Sequence, residues 1–173
     1  MAARMQKYFD IYGLRFAVGG DWPEVVEDVR LDFAWFERPE GGTVDLEVEI
    51  RRLPPDYAQF GDLPAAFVTP RNTVYQDDSR TIVDYFGRAL SVLDRARGRF
   101  LIEGEDVHLV HEAAYHFLLS SVGAHLDRIR LTRLHALGLS VPSGGVALML
   151  PSGGGKSTMA VRALQDDGVK LLS

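Results

Sequence analysis

The chain has 173 residues, 46% of them hydrophobic and 25% charged, with 19 Lys and Arg against 24 Asp and Glu for a net charge of −5. That is ordinary globular composition, and its sign gives no general attraction for nucleic acid or for an anionic membrane surface. The absence of cysteine excludes disulfides, thiolate metal sites and cysteine nucleophiles. No apolar run reaches membrane-spanning length and Met1–Lys7 lacks the apolar stretch of a signal peptide, so a cytoplasmic location is expected.

The first hundred residues read as β-rich. Asp21-Trp22-Pro23-Glu24, ahead of Val25, Val26 and Val29, predicts an N-cap, a proline at the first helical position and a short amphipathic helix. Leu31, Phe33 and Trp35 then alternate with smaller or charged residues. In Val44–Arg51 the apolar Val44, Leu46, Val48 and Ile50 alternate with Asp45, Glu47, Glu49 and Arg51, the period of a half-buried strand. With Pro39-Glu40-Gly41-Gly42 between them, the two alternating runs predict a hairpin, although helix and strand could trade places near Leu31.

Leu53–Arg71 carries Pro54, Pro55, Pro64 and Pro70 with little periodicity, and reads as a long loop or a covering excursion over the sheet. Two more hairpins are expected, Asn72–Gln76 with Thr81–Phe86 around Asp77-Asp78-Ser79, and Leu90–Asp94 with Phe100–Glu103 around Arg97-Gly98. The strands end near Gly104. From Asp106 to about Arg130 the pattern turns helical, with Val110, Ala114, Phe117, Leu118, Val122 and Ile129 on one face. The sequence therefore divides into a β-rich region, residues 1–104, and a long helix plus a nucleotide segment, residues 105–173.

That segment holds the most specific signal, Leu150-Pro151-Ser152-Gly153-Gly154-Gly155-Lys156-Ser157-Thr158 between an apolar strand at Val146–Leu150 and a helix beginning near Lys156. This is a phosphate-binding loop in its proper setting. Glycines let consecutive backbone N–H groups approach phosphate oxygens, and the helix N-terminus adds positive partial charge. Lys156 would reach the β- and γ-phosphates of ATP, Ser157 would ligate Mg2+, and Thr158 supports the first turn. Leu150 stands where the full motif has its first glycine.

Leu134-His135-Ala136, Gly138-Leu139-Ser140-Val141, Gly145–Leu150, the Pro151–Ser157 loop and Asp167-Gly168-Val169-Lys170-Leu171-Leu172 follow in an order that resembles the HPr kinase/phosphorylase family. The resemblance covers about Leu131–Ser173. It implies a nucleotide domain similar to the phosphoenolpyruvate carboxykinase core, and transfer of the ATP γ-phosphate to a serine or other hydroxyl of a protein, peptide or small molecule. It also implies that Gly153, Gly155, Lys156 and Ser157 hold phosphate and magnesium, and that His135 sits beside a catalytic acid. In the family, paired aspartates follow directly on the strand corresponding to Val169–Ser173 and act as general base. The chain stops one residue short of them, so it reads as truncated and inactive as given, its open sheet edges inviting completion by a second copy.

Other classes are weaker. A non-catalytic nucleotide-sensing module stays open, and an ABC-type ATPase fragment fits less well, because a strand follows the loop's helix within about a dozen residues. His108, His111, Glu112 and His116 crowd one helix, but His111 and His116 are five apart, where a zinc-protease helix needs four. Arg128, Arg130 and Arg133 form a basic cluster near His135 that reads first as a solvated face.

Overall fold

The computed structural model describes residues 5–59 and 62–172. The protein is mixed α/β and separates into two compact units, one ending at Arg128 and the other beginning at Ile129. The strands of the first unit are β1 (Met5–Ile11), β2 (Leu14–Gly20), β3 (Glu37–Arg38), β4 (Leu46–Arg51), β5 (Ala65–Val68), β6 (Thr73–Gln76), β7 (Arg80–Asp84), β8 (Ala89–Asp94) and β9 (Arg99–Gly104), and its helices are α1 (Pro23–Asp32) and α2 (Val107–Arg128). These strands form one sheet in the order β3-β1-β2-β4-β9-β8-β7-β6-β5.

The middle of that sheet is parallel. β2 pairs with β4 in parallel, Val18 opposite Val48, and β4 pairs with β9 in parallel, Val48 opposite Phe100. The remaining pairings are antiparallel, including the β5–β9 meander. Parallel neighbours cannot be joined by a tight turn, so α1 serves as the crossover from β2 toward β4.

Side-chain alternation then sorts the strands by face. Phe9, Phe16, Val18, Leu46, Val48, Ile50, Phe100 and Ile102 join Val25, Val26 and Val29 of α1 and Val110, Ala114, Leu118 and Val122 of α2 in one buried cluster. The intervening residues of the parallel strands face the other way. Glu49 is buried there, accepting from Arg51 Nε at 2.9 Å and pairing with Arg99, while Arg51 Nη1 lies 3.4 Å from Glu103 Oε1. Buried carboxylates persist because each has a cation to replace water.

The hairpins predicted at Asp77-Asp78-Ser79 and Arg97-Gly98 form as β6–β7 and β8–β9. Asp77 fixes the first turn, accepting from the Ser79 and Arg80 amides at 2.9 and 2.6 Å and from the Arg80 guanidinium at 2.8 Å. Asp106 starts α2 by accepting from the Leu109 amide at 3.1 Å, the geometry of an N-cap. The helix buries Val110, Ala113, Ala114, Leu118, Val122 and Leu126, whereas Ile129 lies beyond its end and is exposed.

Three expectations are corrected. Leu31, Phe33 and Trp35 form no strand and no hairpin with β4: α1 runs to Asp32 and a 3-10 turn covers Ala34–Phe36. The reason is that Phe33 continues the buried α1 face of Val25, Val26 and Val29, leaving Trp35 97% exposed. Asp21 does not cap α1, which begins after Trp22 with Pro23 in its first turn; the Asp21 carboxylate instead accepts from the Arg52 amide at 2.8 Å. Finally, the Leu53–Arg71 stretch is not all loop, since Ala65–Val68 adds an edge strand to β6. The long helix after Gly104 packs into the first unit, and the two compact units divide after Arg128.

Leu118 is fully buried halfway along α2, so Leu118→Ala should cost about 2–5 kcal/mol, read as a lowered urea midpoint. Hydrogen bonds from the Arg80 guanidinium, then from the Arg80 and Ser79 amides, hold the Asp77 carboxyl well below the usual carboxylate range. A lowered folded pKa stabilises above the unfolded value and the stabilisation is lost as pH falls through the folded one. The stability difference between the wild type and Asp77→Asn should therefore be full at neutral pH and shrink as pH drops below about 4.

Candidate functional site

The second unit contains β10 (Leu137–Val141), β11 (Gly144–Leu148), α3 (Lys156–Ala163) and β12 (Lys170–Leu171). Its sheet runs β11-β10-β12, with β11 and β12 each antiparallel to β10. The outer strands thus point the same way, and the loop with α3 carries the chain from β11 over β10 to β12. Asp166 makes the turn into β12, its carboxylate accepting from the Gly168 amide at 2.9 Å and its carbonyl from Val169 at 3.0 Å.

The loop between β11 and α3 is shaped by its glycines. Gly154 donates to the Pro151 carbonyl at 2.9 Å, and a Cβ there would stand 2.9 Å from that same oxygen and 3.1 Å from Leu150 Cβ. Gly155 occupies the N-cap of α3 at φ +86, a conformation that glycine takes without steric cost. No side chain caps α3, so the first N–H groups of the helix have neither an intrahelical nor a side-chain acceptor.

Ser152, Gly153, Gly154, Gly155, Lys156 and Ser157 line one cavity of about 400 Å3, and His135 lines it with them. Thr158 lies in the first turn of α3 outside this lining. Lys156 Nζ donates to the carbonyls of Leu150 at 2.8 Å and Pro151 at 3.3 Å, closing the loop on itself. Two neutral carbonyls are weaker partners for an ammonium than an oxyanion, so the lysine is held where a phosphate could recruit it. No carboxylate appears among the described residues that line the cavity.

The other sequence candidates lie elsewhere. His111 pairs with Asp32 at 2.8 Å and His116 with Glu112 at 3.7 Å, and Arg128 donates to the Ala124 carbonyl at 3.3 Å. Among the described residues no group of three His, Asp or Glu side chains is placed to hold a metal, and no helix is long and apolar enough to cross a membrane. Compared with protein-family models, curated proteins and solved structures, the chain finds no match in any of the three.

Gly154→Ala forces the loop to move off Pro151. Amides from Gly153 to Thr158 should then exchange with solvent faster while those of α2 keep their protection, a comparison read by hydrogen exchange.

Proposed function

We propose that this chain carries the ATP-binding part of an HPr-kinase-like serine kinase, built on a P-loop domain of the phosphoenolpyruvate carboxykinase kind. The observation that supports this reading most is a single cavity lined by His135, three glycines, Lys156 and Ser157 at the uncapped start of α3. The residues fit a nucleotide phosphate: a loop whose Gly153 and Gly155 take φ of +74 and +86, open helix N–H groups and an ammonium held by two carbonyls.

In this reading the Lys156 ammonium leaves the carbonyls of Leu150 and Pro151 and neutralises charge on the β- and γ-phosphate oxygens. The Ser157 hydroxyl would be the chain's ligand to a magnesium ion bound with the nucleotide. The Ser152–Gly155 backbone holds the phosphates, Thr158 steadies the first turn, and His135 positions groups at the cavity's edge. Bound ATP with Mg2+ supplies the transferable γ-phosphoryl group and the counter-charge for it. The acceptor is a serine or other hydroxyl of a protein, peptide or small molecule, and a cytoplasmic setting rich in ATP suits such chemistry.

Transfer also needs a group that takes the acceptor's proton. The family resemblance assigns that role to paired aspartates following the strand that corresponds to β12. Asp166 and Asp167 do not substitute, because they follow the C-terminal end of α3 and Asp166 is engaged in the turn into β12. A second reading, a nucleotide-sensing module without catalysis, draws on the cavity's lack of a lining carboxylate. An ABC-type ATPase fits less well, since only a short turn separates α3 from β12.

Calorimetric titration with Mg-ATP tests the site. Lys156→Ala should weaken binding by at least about tenfold, the loss expected for one charge-assisted contact, with an unchanged circular dichroism spectrum. Equal affinity in the two proteins would sink the assignment.

A further inference from the structure

The turn from β7 to β8 is built against its own backbone preference. Phe86 and Gly87 have φ of +54 and +79, and the Arg88 amide donates to the Tyr85 carbonyl at 3.2 Å, the signature of a type I′ turn. Its first central position favours Asn, Asp or Gly, because a bulky L side chain in the left-handed region crowds the following carbonyl. Phe86 is 54% exposed, so core packing does not compensate, and its ring stacks on no other ring among the described residues. The contrast is Tyr12, the other aromatic residue on such a turn, whose ring lies 6.4 Å from that of Phe36.

What Phe86 does is wall a cavity of about 630 Å3, a volume suited to a small organic ligand, together with Tyr85, Arg71, Arg88, Glu112 and His116. Leu109 and Ala113 of α2 add apolar surface. Arg71 Nη1 donates to Glu112 Oε1 at 3.1 Å, His116 Nε2 lies 3.7 Å from the same oxygen, and Arg88 Nη2 pairs with Asp106. A guanidinium carries five N–H donors, so both arginines keep donors beyond those engaged. Glu112 is the one carboxylate among the described lining residues, and with Asp106 on Arg88 each guanidinium already faces one carboxylate, so what the pair offers an added oxyanion is the N–H donors left over.

We propose that this cavity binds a small planar aromatic carboxylate, its ring against Phe86 and its carboxylate on the remaining N–H groups of Arg71 and Arg88. The bidentate fit of guanidinium to carboxylate and the flat face of the phenyl ring select that combination over a neutral ring or a bare anion. The strained turn is retained because it presents the ring; backbone strain of this kind is kept where function requires it. The proposal is independent of the nucleotide reading and involves no residue of the second unit.

The test is a calorimetric titration of the full chain with 2-naphthoate, with 2-naphthalenemethanol as the neutral counterpart. Binding of the acid in the micromolar to millimolar range, weakened at least tenfold in Arg71→Ala/Arg88→Ala, is expected. Phe86→Asn, which installs the preferred Asn-Gly pair, should also weaken binding at least tenfold while raising Tm by about 2–4 °C. No binding of the acid, equal binding of the alcohol, or retained binding in Phe86→Asn would each overturn the proposal. A lowered Tm in Phe86→Asn would do so as well, by showing that the ring is there for packing.

Discussion

β4 has a parallel neighbour on each side, and that constraint organises the larger unit. A strand so placed is reached only by crossing over the sheet, and α1 makes the crossing from β2. The helix must then lie on the sheet, which requires one face of β2, β4 and β9 to be apolar; Val18, Val48, Ile50, Phe100 and Ile102 provide it. The other face need not be covered by a second layer, because Glu49, Glu103, Arg51 and Arg99 pair among themselves across the strands. Two helices on one side and an ionic ladder on the other follow from the same period-two alternation.

Local signals made part of this architecture legible. The β6–β7 and β8–β9 hairpins announce themselves through Asp77 and Gly98, because a turn's chemistry sits inside four consecutive residues. Pairing between β2, β4 and β9 leaves no such mark, since alternation tells which residues face inward and nothing about which strand lies alongside. The same blindness turned Leu31, Phe33 and Trp35 into an expected strand: the spacing of two is present in the letters, but the α1 face claims Phe33 and leaves the other two in water. β5 escaped notice because all four of its residues are exposed and prolines surround it.

The loop from Ser152 to Thr158 was legible for the opposite reason, since its residues are contiguous and its glycines, lysine and serine sit at a helix start. The cavity beside Phe86 was not, as its walls come from two turns and a helix. One signal was available, a Phe-Gly pair where a tight hairpin turn normally carries Asn-Gly. The two units also differ in how they are held. In the second, Leu137 and Leu139 are the buried apolar side chains among the described residues, and α3 buries none, so strand pairing and turns carry more of its order.

The parallel centre of the larger sheet also has a kinetic meaning. Arg51 and Glu103 meet across β4 and β9 although 52 residues separate them, and the whole β5–β8 meander lies in between. Hairpins can zip from their turns within microseconds, but this junction must wait until a long loop has closed, at an entropic cost that no local contact repays. Seating β4 against β9 is therefore expected to lag behind the hairpins, whereas α2, which follows β9 directly, needs no such loop closure to reach the meander. A ribosome must release the chain as far as Gly104 before the centre of this sheet can exist at all.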